Sequence, residues 1–335
     1  MPVPRVPPSG VWCPAVTLYE PGTDKLDLEA QALWFSYLGK RTGLAGLVVL
    51  GTNAETFLLT REERRELLVL ARRVLGPDYP IMAGVGGHST RQVEEFIADA
   101  VDAGADYVLV LPPGYFKVAD PVQARQVVEG FYRDVSRAAA AESEKAGREV
   151  GVVVYNFPGV CNGVDLDSEA IATLVRRHNN VVGVKLTCGS VAKITRLAAE
   201  FPPERFAVFG GQSDFLIGGL AVGSAGCIAA FANVVPKIIV GIYNFYKAGK
   251  TQEALELHRK AALAEQALKS GGIAATKYAA AVITAPKAGI EEAEEKMRPR
   301  RPYLPVPERV QSAIRDALSQ VADIESSVDL QTEGN

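Results

Sequence analysis

Three groups of residues in this chain join a reactive side chain to a setting that would sharpen it. Lys185 follows the apolar run Val181-Val182-Gly183-Val184. An ammonium turned inward from such a strand loses hydration, and full burial lowers a lysine by several units from its ordinary value near 10.4. The neutral amine is a nucleophile for a carbonyl carbon, with an imine as product. The competing reading is a strand-end lysine whose stem covers apolar surface while its charge reaches water. Tyr155 closes the run Val150–Tyr155. A phenol there can shuttle protons at an imine carbon, or it is a core tyrosine with a satisfied hydroxyl. The turn Gly51-Thr52-Asn53-Ala54-Glu55 offers backbone N–H groups, a hydroxyl and an amide. Those donors suit a carboxylate, unless the turn is simply a strand-to-helix connection.

Other reactive side chains fit less well. His88, His178 and His258 share no i, i+2 or i, i+4 spacing, so a zinc-dependent reaction is disfavoured and no metal is expected. His178 and His258 read as helical, whereas His88 follows a strand and can line a mouth. Lys193, Lys277 and Lys287 fall on helices or in loops and are poorer imine candidates. Cys13, Cys161, Cys188 and Cys227 have no paired spacing, which indicates neither disulfides nor a metal ribbon.

Eight short runs must position these groups: Val11–Leu18, Leu44–Leu50, Ile81–Val85, Tyr107–Leu111, Val150–Tyr155, Val181–Leu186, Phe206–Phe209 and Gly226–Ala230. Most are continuously apolar, as strands covered on both faces must be. Helical stretches alternate with them. Ser89 with Gln92 and Thr60 with Glu63 read as capping boxes, each followed by an apolar stripe at helical spacing. Alternation of this kind builds a parallel sheet, and eight units fit an α/β closed barrel, the (β/α)8 or TIM barrel. A doubly wound sheet is the rival, but the Gly-x-Gly-x-x-Gly turn after its first strand is missing. Residues 1–10 read as an extended lead-in, 11–235 as the barrel, 236–322 as a C-terminal helical extension and 323–335 as a polar tail. Within the extension, helices are expected from Pro236, over Thr251–Ser270, about Ile273–Ile283 and about Glu308–Ala322, with Glu291–Arg301 a solvated loop.

The bulk numbers exclude several classes. The chain has 335 residues, 48% hydrophobic and 22% charged, with a formal net charge of -3. Nucleic-acid binding lacks its basic face. No apolar run is long enough to span a membrane. The opening MPVPRVPPSG has no apolar core and one arginine, so it reads as neither a secretory nor a mitochondrial signal, and the cytosol is expected.

In barrels of this kind the active site lies at the carboxyl ends of the strands. The segments there resemble those of the dihydrodipicolinate synthase and N-acetylneuraminate lyase family of class I aldolases, over about Val11 to Ile283. Four matches carry the resemblance: Gly51-Thr52-Asn53-Ala54-Glu55, the Tyr115 segment, Tyr155-Asn156-x-Pro158 and Gly183-Val184-Lys185. The resemblance implies that Lys185 forms an imine with pyruvate or another 2-oxo acid, so that no cofactor is needed. It implies Tyr155 as general acid/base, helped by Thr52 and by Tyr115, which in this family often reaches a neighbouring subunit. Thr52 and Asn53, on the turn begun by Gly51, would hold the 2-oxo acid carboxylate, with Gly211 and the Ile228 carbonyl opposite. It also implies a homo-oligomer, a tetramer or dimer.

Departures bear on the substrate. The synthase pattern has an arginine two residues after the proline of the tyrosine motif, where this chain has Val160, and two threonines where it has Thr52-Asn53. Losing a guanidinium removes the anchor for a second carboxylate. The Thr-Asn pair looks more like aldolases of 4-hydroxy-2-oxoglutarate or of 3-deoxy-2-oxo sugar acids, and Val160 tilts the balance toward the sugar acids. A condensing or dehydrating relative, the synthase included, and a non-catalytic metabolite-binding barrel are the alternatives.

Overall fold

The computed structural model describes residues 4–327. The strands are β1 (Gly10–Pro14), β2 (Gly46–Val49), β3 (Ile81–Gly84), β4 (Tyr107–Val110), β5 (Gly151–Asn156), β6 (Val181–Leu186), β7 (Ala207–Gly210) and β8 (Gly226–Ile228). Helices α1 (Leu28–Arg41), α2 (Arg61–Leu75), α3 (Thr90–Asp102), α4 (Pro121–Ala146), α5 (Ser168–Arg177), α6 (Val191–Glu200), α7 (Leu216–Ala221) and α8 (Pro236–Lys247) follow them in turn. Every strand pairs in parallel with its neighbours, and β1 meets β8, so the sheet is a closed barrel. This is the expected TIM barrel. Four more helices follow: α9 (Thr251–Lys269), α10 (Gly272–Ile283), α11 (Ala293–Lys296) and α12 (Glu308–Ser327).

Apolar side chains divide between two sides of the sheet. Trp12, Val48, Met82, Leu109, Val153, Tyr155, Val182, Phe209 and Ile228 fill the barrel, and a larger cluster packs between strands and helices. That is why the strands read as unbroken apolar runs instead of alternating ones. At the lower end, Pro8 accepts a hydrogen bond from Trp12 Nε1 at 2.9 Å and Val6 accepts one from the Tyr107 hydroxyl at 3.3 Å. The lead-in is thus tied beneath the barrel.

Several elements differ from expectation. The first strand stops at Pro14; after a last bond from Ala15 N to Val48 O, side chains serve the next amides, with Asn233 Oδ1 accepting from Val16 N and Gln31 Oε1 accepting from Leu18 N. Thr60 and Glu63 make both bonds of a capping box. Ser89 accepts from Gln92 N, but Gln92 Oε1 accepts from His88 N instead of Ser89 N, so that box is half made. His178 lies just past the end of α5, where its N–H still donates to Leu174 O. Glu291–Arg301 is only partly a solvated loop: Glu291, Glu292, Glu294, Glu295, Arg298 and Arg301 are exposed, but Ala293 and Met297 are buried. It contains α11, Lys296 pairs with Asp27 at 3.0 Å, and Arg300 holds Glu63 at 2.6 Å and 2.8 Å. Its charges were visible in the sequence; their partners, more than two hundred residues upstream, were not. The last helix runs past Ala322 to Ser327 because Glu325 is buried, accepting from Lys237 N and Ile238 N at the start of α8.

Candidate active site

The carboxyl ends of β2, β5 and β6 bring three of the sequence candidates together. Tyr155 and Lys185 are direct partners across the β5–β6 ladder. A bulge makes this possible. Val152 pairs with Val181 but Val153 pairs with Gly183, so β6 carries one extra residue. Strict alternation would send Lys185 to the side opposite Val182; the extra residue resets the phase and both face inward. Lys185 is 2% exposed, and its Nζ lies 4.3 Å from the centre of the Tyr155 ring. Tyr155 is 3% exposed, stacks on Phe157 with centroids 5.8 Å apart, and holds its hydroxyl 3.4 Å from Thr52 Oγ1.

The pairing of the buried lysines singles out one of them. Lys193 is tied to Asp165 and Lys277 to Glu55, whereas among the described residues no carboxylate pairs with Lys185. Cys13 and Cys227 lie within electrostatic reach of it, and burial pushes both thiols up, so neither supplies a thiolate counter-ion. An unpaired amine in an apolar setting against a phenol is the arrangement that carbonyl addition requires.

The turn after β2 is shaped by backbone in an uncommon region. Leu50 has φ 66° and Glu55 φ 56°, so residues in the left-handed conformation bracket Thr52 and Asn53. A Cβ at Gly84 would lie 1.9 Å from Leu50 O, so glycine on β3 is what lets that carbonyl approach. Ala54 O accepts from Thr17 Oγ1 at 2.8 Å, and Glu55 N donates to Thr52 O. Two short 3-10 turns, Thr52–Ala54 and Thr56–Leu58, result. Gly51 is buried and Thr52 and Asn53 are half-buried, so their side chains remain available at the mouth.

Gly211 and Ile228 stand on the other side. Gly211 N donates to Leu186 O at 3.1 Å, and a Cβ at Gly211 would fall 2.0 Å from Thr187 Oγ1. Ile228 is fully buried beside Phe209 and Tyr155 in the barrel interior. Tyr115 is not joined to the pair. It is 71% exposed, with its ring 5.5 Å from His88 and 5.0 Å from Phe116 on the rim. A cavity of about 850 Å³ opens outside that rim, lined by His88, Tyr115, Phe116 and Asn162 among others, but not by Lys185 or Tyr155.

Three features escaped the sequence reading. Thr187, two residues past Lys185 and so on the same side by strand alternation, has a buried hydroxyl with no partner. That spacing was the available signal. Ser213, on the turn after β7, donates to Glu265 of α9 at 2.6 Å and its carbonyl meets His258 Nε2 at 2.8 Å. Burial pushes Glu265 up to about 7, although its bond from Ser213 opposes the rise. Glu55 pairs with Lys277 of α10. No local pattern announces contacts between residues so far apart. Among the described residues no group of three or more His, Cys, Asp or Glu could hold a metal, and no helix is long and apolar enough to cross a membrane.

The fold is a closed parallel (β/α)8 barrel whose carboxyl end holds a buried lysine, with no paired carboxylate among the described residues, beside a tyrosine. The chain belongs to the Dihydrodipicolinate synthetase family, whose model matches residues 8–321. It is 61% identical to a protein of Coccidioides immitis provisionally named a mitochondrial 4-hydroxy-2-oxoglutarate aldolase, covering 97% of this chain and 99% of that one. It is 32% identical to the L-threo-3-deoxy-hexylosonate aldolase of Aspergillus niger, covering 81% and 84%. Among solved structures, a dihydrodipicolinate synthase family protein of Coccidioides immitis matches with TM-score 0.87 and 58% identity over 97% of this chain and 99% of that one. A prophage protein of E. coli K12 from the same family, solved in complex with pyruvate, matches with TM-score 0.81 and 25% identity over 93% and 98%. The expected cytosolic placement is overturned. The Coccidioides immitis relative and one from Emericella nidulans, 35% identical, both carry mitochondrial names. The composition of the first ten residues was too little to assign a compartment.

Proposed function

We propose that this chain is a class I aldolase that cleaves a 4-hydroxy-2-oxo acid to pyruvate and an aldehyde through an imine on Lys185. One observation carries the reading: the Lys185 amine, paired with no carboxylate among the described residues, lies 4.3 Å from the ring of Tyr155, whose hydroxyl is 3.4 Å from Thr52 Oγ1. The amine adds to the C2 carbonyl, and loss of water leaves a protonated imine. Tyr155 hands the departing oxygen its proton, then receives one from the C4 hydroxyl as the C3–C4 bond breaks. The electron pair of that bond settles in the enamine, which the imine nitrogen stabilises. Protonation at C3 and addition of water free pyruvate and return the amine. Thr52 shares the Tyr155 proton; Thr52 and Asn53, presented by the turn from Gly51, receive the substrate carboxylate, with Gly211 and the Ile228 carbonyl opposite. No metal or cofactor enters these steps.

For the substrate, 4-hydroxy-2-oxoglutarate is the first reading, supported by the likeness to the Coccidioides immitis relative. A 3-deoxy-2-oxo sugar acid is the second, favoured by Val160, which offers no charge to a second carboxylate and is 46% exposed at the mouth. Product analysis separates them. Equimolar pyruvate and glyoxylate from the first substrate, at a rate at least about tenfold above that for the second, fit the first reading. Pyruvate from neither would refute the aldolase.

Two coarser matters go with this reading. The exposed aromatic pair Tyr115 and Phe116 supports a homo-oligomer, dimer or tetramer, in which Tyr115 reaches a neighbouring site. Sedimentation of a monomer at micromolar concentration would refute it. The names of the Coccidioides immitis and Emericella nidulans relatives support a mitochondrial setting, which cell fractionation tests.

A further inference from the structure

Glu55 ends the turn that presents Thr52 and Asn53, and its side chain points away from the mouth into the protein. Its Oε2 accepts from Lys277 Nζ at 2.6 Å and its Oε1 accepts from the backbone N–H of Arg300 at 2.7 Å. The pair is sealed from water: the Lys277 side chain is 0% exposed and that of Glu55 3%. Tyr19 covers it, with its ring 4.5 Å from Lys277 Nζ and 5.4 Å from the Arg300 guanidinium. Arg300 continues to Glu63, whose carboxylate caps α2 by accepting from Thr60 N at 2.8 Å. The middle and the far end of the segment between β2 and α2 are therefore fastened to residues of the C-terminal extension.

A buried ion pair is poor evidence for stability, since well-packed apolar residues of similar volume commonly serve as well or better. Its value lies in fixing a geometry. Glu55 is in the left-handed conformation at φ 56°, which a non-glycine residue adopts only when its surroundings hold it there. The two bonds to its carboxylate hold it through the side chain, alongside the backbone bonds from Glu55 N to Thr52 O and from Leu58 N to Glu55 O. Lys277 also cancels a negative charge that would otherwise sit behind a turn meant to receive a carboxylate.

We infer that Lys277 and Glu55 form a positioning pair for substrate binding: from α10, Lys277 holds the Gly51–Glu55 turn in the shape that accepts the 2-oxo acid carboxylate. This deepens the aldolase reading and rests on it. The pair touches no reacting atom and acts through Thr52 and Asn53.

The test follows borohydride trapping of pyruvate on Lys185 across pyruvate concentrations, in the whole protein. In Lys277→Met the half-saturating pyruvate concentration should rise about tenfold or more, while the limiting trapping rate stays within about threefold. In Glu55→Gln with Lys277→Met no buried charge is left alone and the new amide oxygen can still accept from Arg300 N. It still lacks the bond from α10, so its half-saturation should stay about tenfold above the parent, and a return to within about twofold would overturn the inference. If Lys277→Met does not fold, Glu55→Ala with Lys277→Met replaces it: without lone charge or tie to Arg300, it too should bind about tenfold more weakly. Half-saturation within about twofold of the parent in whichever of these two folds, with a lower melting temperature, would reduce the pair to a structural role and overturn the inference. A parent that traps no pyruvate on Lys185 would instead defeat the aldolase reading, so the two failures are distinguishable.

Discussion

Replacing Tyr155 by Phe isolates the proton shuttle from everything else the residue does. The ring stays stacked on Phe157 and over the Lys185 amine, since both contacts belong to ring atoms. What goes is one hydroxyl, whose partner Thr52 Oγ1 lies at 3.4 Å, well beyond the usual 2.7–2.8 Å of a hydroxyl hydrogen bond. So long a bond contributes little to stability, and unfolding free energy should change by less than about 1.5 kcal/mol. The rate is another matter. A positioned acid/base contributes roughly 10²–10⁴-fold, or about 2.7–5.4 kcal/mol of barrier. Tyr155→Phe should therefore lower kcat by about 100-fold or more while pyruvate is still trapped on Lys185 by borohydride. Pyruvate release is followed with lactate dehydrogenase and NADH, and folding by thermal melts. A variant with parental kcat would refute the assigned role; one that neither turns over nor traps would show that the phenol's part is to keep the amine in place.

Three further outcomes follow from particular contacts. Gly211→Ala sets a Cβ 2.0 Å from Thr187 Oγ1 and 2.4 Å from its Cα, so backbone must move; we expect a loss of about 1–3 kcal/mol in urea melts together with most activity, and an unchanged melt would contradict the packing. Burial pushes Glu325 up to about 7, against the bonds from Ile238 and Lys237 that favour its charge. The folded carboxyl keeps its proton to about pH 7 while the unfolded one releases it near 4.5, so this contribution is full in acid and is lost as pH rises through 7. Stability should fall by at most about 1.4 kcal/mol per pH unit across that window, and Glu325→Gln should flatten the fall; an equally steep fall in the variant would refute the assignment. Lys185→Ala should abolish turnover with the melt within about 5 °C of the parent, whereas retained activity would move the chemistry elsewhere.

Local signals revealed most of the fold. Near-continuous apolar runs located all eight strands because both faces of a barrel strand are covered, and Thr60 with Glu63 marked the start of α2. Lys185 and Tyr155 were visible because each ends an apolar run. Their direct pairing across the ladder was not, because it depends on a bulge whose extra residue, between Val181 and Gly183, has no signature of its own. Glu55 was seen as the last letter of a turn, and Lys277 was set aside as helical. The bond between them joins residues 222 positions apart, and only the closed barrel with its added helices brings them within reach. Glu291–Arg301 misled in part for the same reason: most of its charges are solvated, but Lys296 and Arg300 have distant partners that no local pattern announces.

The most direct trial of the account is mass spectrometry of the protein after pyruvate and borohydride. A reduced pyruvate adduct confined to the peptide carrying Lys185, and absent from Lys185→Ala, is the result it predicts. An unmodified chain, or an adduct on Lys193, Lys277 or Lys287, would contradict it.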